Sequence, residues 1–319
     1  MKRFLKYLLV IVLILIVFFT IQNYPVSVAA RDLPRLSDTL NLKHNFDLVL
    51  NTDKPRHYKN VTVLDTVAER IRKEFSKYTD RTGMQEYQVE NNIYKNVFAS
   101  FGPQDAEVII IGAHYDVCGE QDGADDNASG VVGIMELARL LQKQPLQYRI
   151  DLVAYTLEEP PFFRTEQMGS YVHAKSLFDK KQPVKGMISL EMIGYYSDEP
   201  GSQSYPVGLM KWIYGDKGNY ITLARNSFSG SFANQFKKLY FDNNSIDAKS
   251  FRAPGFVGGI DLSDHRNYWK FGYSALMVTN TAFFRNSNYH QISDRLPTLD
   301  LAKMGLTIDG VYRTIINIK

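Results

Sequence analysis

Several short apolar runs of this sequence end in a residue able to bind a cation or carry a proton. The run 107–112 leads into Gly112-Ala-His-Tyr-Asp116, the run 149–155 is followed by Glu158-Glu159, and the run 186–190 by Glu191. The loop after 274–279 carries His290, and the loop Gly123-Ala-Asp-Asp-Asn-Ala-Ser-Gly130 adds Asp125 and Asp126 just before an apolar helical pattern. Singly, each has a plain explanation. Asp125, Asp126 and Asn127 suit the cap of the helix that follows, and a His-x-Asp or a Glu-Glu pair is commonplace on a solvated surface. Jointly, Asp116, Asp126, Glu158, Glu159 and Glu191 would crowd beside apolar strands, where an unpaired carboxylate is costly. No comparable set of Lys or Arg occurs in these segments. Bound cations are the natural compensation. His114 and His290 among the donors suit zinc over magnesium or calcium, which prefer oxygen shells.

For these residues to meet, the apolar runs must be strands of one sheet, since ligands of open α/β sheets bind at the carboxyl ends of strands. The spacing agrees. Helical patterns at 131–141, 170–178 and 299–316 are interleaved with the runs at 107–112, 149–155, 186–190 and 274–279. Strands alternating with helices require crossover connections and hence a largely parallel sheet. Ahead of them, 61–78 repeats Val61, Leu64, Val67, Ile71 and Phe75 at helical spacing, and 84–100 alternates as a strand or hairpin. The stretch 197–225, rich in Gly, Tyr and Ser, reads as an insertion.

Composition narrows the class further. The chain has 319 residues, 45% apolar and 22% charged, enough for one large α/β domain or two smaller ones. A single cysteine, Cys118, excludes an internal disulfide framework and reads as a small buried residue. The formal charge of +3 is supplied by Lys2, Arg3 and Lys6, so the rest of the chain is balanced and unsuited to nucleic acid. Those three residues precede an apolar run over 7–21 and the small residues Val28-Ala29-Ala30. Such an arrangement fits either a cleaved signal peptide or an N-terminal membrane anchor, with the rest exported to the periplasmic or extracellular side. The expected organisation is 1–30 as that address, 31–58 as a lead-in, and 59–319 as a single domain.

The segments Gly112-Ala-His-Tyr-Asp116, Gly123-Ala-Asp-Asp-Asn-Ala-Ser-Gly130, Glu158-Glu159, Leu190-Glu191-Met192, Ser263-Asp-His265 and Tyr289-His290 resemble, in this order, the co-catalytic zinc aminopeptidases of peptidase family 28. That resemblance implies a three-layer α/β/α fold with a mostly parallel mixed sheet, shared with glutaminyl cyclases. It also implies two zinc ions per chain and peptide substrates with a free N-terminus. Carried over by residue, Asp126 would bridge both metals, His114 and Glu191 would complete one position, and Glu159 and His290 the other. Glu158 would be the general base, and Asp116 would orient His114. Asp264 and His265 are expected to be supporting. The sequence departs from the family in two places. Many relatives have Asp where Glu191 stands, and Gly often follows the Glu-Glu pair, where this chain has Pro160-Pro161-Phe162-Phe163. Phe162, Phe163, Phe283 and Phe284 would either line a pocket for the first substrate side chain or pack in the core. Two other activities share this fold: a single-zinc glutaminyl-peptide cyclase and a non-catalytic binding module. His44, His57 and His173 fall outside the motifs and are expected at the surface.

Overall fold

The computed structural model describes residues 4–11, 24–228, 230–255 and 257–319. Nine strands form one mixed sheet: β1 (Ser27–Val28), β2 (Thr82–Val89), β3 (Asn92–Phe101), β4 (Val108–His114), β5 (Arg149–Tyr155), β6 (Val184–Glu191), β7 (Ile221–Asn226), β8 (Ala248–Ala253) and β9 (Ala275–Thr279). Their spatial order is β1-β8-β7-β9-β6-β4-β5-β3-β2. The four central strands, β9, β6, β4 and β5, are mutually parallel, and antiparallel ladders flank them where β3 joins β5 and β7 joins β9.

The parallel centre follows from apolar content on both faces. In β4, Ile109 and Ile111 turn into the larger core, and Val108 and Ile110 turn to the other side, where they meet Val153, Met187 and Tyr268. A strand covered on both sides needs a continuous apolar run rather than alternation. Helices α1 (Thr39–Leu50), α2 (Val61–Phe75), α3 (Gly130–Leu141), α4 (Gly230–Asn243) and α5 (Leu301–Ile316) supply side chains to the larger core. The helix Gly169–Asp179 covers the opposite face together with the short helix His265–Lys270. Three layers result, as the resemblance implies.

Two segments carry regular structure that their composition hides. The 31–58 lead-in contains α1, capped by the Asp38 side chain, which accepts from the Leu40 N–H; Leu42, Phe46 and Val49 bury its inner face. Those apolar positions recur at helical spacing, but polar residues between them give the segment the composition of a linker. The 197–225 stretch is not wholly an insertion, because its end is β7, an internal strand. Arg225 disguises it: the guanidinium is buried, and it bonds to Ser250 Oγ at 3.0 Å and Asn234 Oδ1 at 2.6 Å instead of reaching solvent. The partner strand β8 has no clear sequence signal either, whereas α4 repeats Phe232, Phe236 and Tyr240 at helical spacing.

The apolar run 7–21 lies mostly outside the described residues, and among the described residues no helix is long and apolar enough to cross a membrane. The small-residue segment that follows is part of the folded body. Ser27 and Val28 pair with Lys249 and Ala248 at the sheet edge, and the Ala30 N–H donates to Asp247 Oδ1 at 2.8 Å.

Candidate metal centre

His114 is the last residue of β4, Glu191 the last of β6, and Glu158 and Glu159 follow β5. Parallel register places these strand ends side by side, and the loop after β9 returns His290 over them. His114 Nε2 stands 3.5 Å from Asp126 Oδ1 and 3.5 Å from Glu191 Oε2, with Glu158 Oε2 at 3.8 Å. His290 Nε2 stands 3.2 Å from Asp126 Oδ2 and 3.2 Å from Glu159 Oε2. The two oxygens of Asp126 thus serve different histidines. Donor atoms on one tetrahedral zinc lie about 3.4 Å apart, given bonds of about 2.0–2.2 Å. Both histidine–carboxylate sets have that separation. Glu159 Oε1 and His290 Nε2 are buried and make no well-formed hydrogen bond, as ligands held ready for an ion would. The residues present therefore fit a pair of divalent metals.

Charge in the centre supports the same conclusion. Burial raises the pKa of Glu158 well above the ordinary carboxylate range, and the neighbouring Glu159 and Glu191 carboxylates add to it. Burial, with Asp126 next, pushes Glu159 up to about 8. Glu191 is raised by burial as well. Asp126 goes the other way despite its burial, because the His114 and His290 imidazoles beside it favour its charged form. Burial opposes a charged His290, yet the Asp126 and Glu159 carboxylates beside it overcome that and raise the imidazole to about 10. Without cations, the cluster must hold protons that a pair of divalent ions would expel.

Three positions at this centre have strained backbone. Leu157, Met192 and His290 have φ of 60°, 50° and 56°, a left-handed conformation that costs a non-glycine residue about 1–3 kcal/mol. Side chains hold two of these turns. The Asp116 carboxylate accepts the backbone N–H groups of Glu158 at 3.2 Å and Glu159 at 3.1 Å. Asn127 Oδ1 accepts the Met192 N–H at 3.0 Å. Asp116 therefore does more than orient His114, whose Nδ1 is 3.2 Å from the Asp116 carbonyl and 3.6 Å from its carboxylate.

Other supports have no sequence motif of their own. Asp294 accepts the N–H groups of Asp125 and Asp126 at 2.9 and 3.0 Å. Asp125 is held by Gly194, Asn280 and Asn286 and is not a donor to the centre. Arg56, fully buried, donates to the carbonyls of Tyr115, Asp122 and Gly123 and so ties the lead-in to both site loops. Of the Ser263-Asp-His265 motif, Ser263 Oγ donates to Glu191 Oε2 at 2.7 Å, and His265 Nε2 pairs with the Ile260 carbonyl at 2.7 Å. Asp264 is buried beside them, and that burial pushes its carboxyl up to about 7.

Beside the centre opens an apolar cavity lined by Phe163, Tyr205, Tyr220, Phe251, Phe283, Phe284 and Tyr289, with Glu158 and Glu159 at its inner end. The aromatic quartet divides: Phe163, Phe283 and Phe284 line the cavity, whereas Phe162 packs in the core edge-on to Tyr58. His173 is a correction. It is buried, its Nδ1 lies 2.6 Å from the Tyr268 hydroxyl, and burial lowers its pKa to about 4. His57 is half-buried and His44 is exposed. Cys118 is only half-buried rather than packed away.

Comparison with known proteins bears on the family and the fold. The pattern of Peptidase family M28 matches residues 96–315. The chain is 42% identical over 294 residues to the uncharacterized protein YfbL of Escherichia coli (strain K12), covering 90% of each chain. It is 28% identical over 252 residues to a probable leucine aminopeptidase of Arthroderma otae, covering 74% of this chain and 60% of that one. Among solved structures, the LapA aminopeptidase of Legionella pneumophila superposes with a TM-score of 0.67 at 21% identity, covering 88% of this chain and 71% of that chain. A Tannerella forsythia glutaminyl cyclase superposes with a TM-score of 0.65 at 18% identity, over 90% of this chain and 100% of that chain. The protein belongs to peptidase family M28.

Proposed function

We propose that the protein is a zinc-dependent aminopeptidase that hydrolyses the N-terminal peptide bond of exported peptides. The observation that carries this reading is the division of Asp126, one carboxylate oxygen facing His114 and Glu191, the other facing His290 and Glu159. Asp126, His114 and Glu191 would hold one metal, and Asp126, Glu159 and His290 the other. Metal in such a pair supplies Lewis-acid polarisation of the scissile carbonyl and acidifies water. The chain's own residues do the rest. Glu158, beside the centre but outside both closest sets, takes the proton of the attacking water on its carboxylate and returns it to the leaving amine. Asp116 keeps Glu158 and Glu159 in position. The aromatic cavity receives the first side chain, so large apolar N-terminal residues are preferred. The basic and apolar N-terminal segment supports export, as a signal or as an anchor through residues 7–21.

The test is hydrolysis of a panel of aminoacyl amides by purified protein, after chelation and after zinc is restored. Activity that disappears with chelation and returns at two zinc per chain, strongest on leucine or phenylalanine amides, supports the reading. Folded, zinc-loaded protein that leaves every amide intact but cyclises N-terminal glutaminyl peptides would replace it with the cyclase activity.

A further inference from the structure

The two metal positions differ in one donor that the preceding reading does not use. Cys118 Sγ lies within 4.8 Å of ligand atoms of both Glu159 and His290. Among the described residues, the group of His114, Asp126 and Glu191 brings nitrogen and oxygen donors together without Cys118. Glu159 is 4% exposed, and its Oε1 has no hydrogen-bond partner, so the group beside Cys118 contains a buried oxygen still seeking one. We infer that Cys118 supplies a sulfur ligand to the metal position held by Glu159 and His290.

The geometry asks for little movement. Sulfur and nitrogen donors on one tetrahedral zinc stand about 3.6 Å apart, from bonds of about 2.3 and 2.0 Å. Closing from 4.8 Å or less requires a shift of about an ångström or less. Cys118 is half-buried and is not a member of the main hydrophobic core. On binding, the thiol releases its proton to solvent and the thiolate joins the metal, so charge and atoms balance. With Asp126, Glu159 and His290, the thiolate makes a fourth protein donor. A four-donor shell is closed, in the manner of a structural site, whereas a catalytic site keeps a position open. Cys118 thus caps this position in the resting enzyme and gives it a preference for soft ions that the other position lacks. A substrate amine must displace the sulfur to gain access.

This inference rests on the two-metal reading above, and the experiment separates the two. Cobalt(II) is loaded into the metal-free protein and into Cys118→Ser, with bound metal counted in each. Two cobalt ions per chain with a sulfur-to-cobalt charge-transfer band in the near ultraviolet, lost in Cys118→Ser, is the expected result. Because the chain has a single cysteine, alkylation by iodoacetamide provides a second readout on the unmodified protein. Zinc should protect Cys118 from labelling, and chelation should restore it. Two cobalt ions bound with no such band, or labelling at the same rate with and without zinc, overturns the sulfur ligand and leaves the two-metal centre standing. No cobalt bound overturns both.

Discussion

Replacing Asp116 by Asn tests whether the base and the ligand beside it are held by a strained turn. The Asp116 carboxylate accepts two backbone N–H groups, from Glu158 and Glu159, while Leu157 just before them has a φ of 60°. Asn has nearly the same shape but only one acceptor atom, so its amide nitrogen faces one of those N–H groups donor to donor. One buried N–H loses its charged acceptor and is left unpaired, which costs about 1–3 kcal/mol. That cost matches the strain of about 1–3 kcal/mol held in the turn, so the turn can relax. Since about 1.4 kcal/mol is a factor of ten, kcat/KM should fall by about one to two orders of magnitude. Zinc affinity at the Glu159–His290 position should fall too, as is usual when the partner of a ligand is removed. The assay is aminoacyl-amide hydrolysis beside a zinc titration, with circular dichroism to establish folding. A folded Asp116→Asn protein with wild-type kcat/KM and wild-type zinc affinity would refute the reasoning.

Further outcomes follow from the same geometry. Glu158→Gln should keep its full metal content and lose most turnover; a retained kcat would remove Glu158 as the base. His290→Ala should bind one zinc per chain instead of two, measured by elemental analysis, because its imidazole serves only one side of Asp126; unchanged content would reject that ligand. His173 provides the pH prediction. Burial lowers its pKa from 6.5 to about 4, so the unfolded chain binds the extra proton between those values. Stability from this group is complete above pH 6.5 and declines as pH falls toward 4, by about 3 kcal/mol in all. Denaturant titrations at pH 7.5 and 5 should show a smaller acid loss in His173→Gln than in the parent, and equal losses would show that His173 does not drive it.

The strand-end residues were legible because their signals are local. An apolar run ending in His114, Glu158-Glu159 or Glu191 announces both the strand and the edge it delivers to, and parallel pairing then aligns those ends with no further information. The flanking sheet was less legible. Arg225 inside β7 looks solvated in sequence, and only its partners, Ser250 and Asn234, make its burial affordable. Arg56 and Asp294 left no trace, because each acts through backbone groups of distant loops, and any residue type offers the same carbonyls and amides.

The sequence by itself determined the chemistry on offer: two histidines, a set of carboxylates too dense to stay ionised without cations, and the strands that bring them to one edge. Tertiary structure alone decided how that chemistry is divided. It set the two Asp126 oxygens toward different histidines, brought Cys118 beside Glu159 and His290, and split Phe162 from the cavity aromatics. The physical reason is range. Strand pattern and charge density are properties of neighbours along the chain, whereas ligand separations near 3.2–3.5 Å depend on loops whose conformation is set by contacts far apart in sequence.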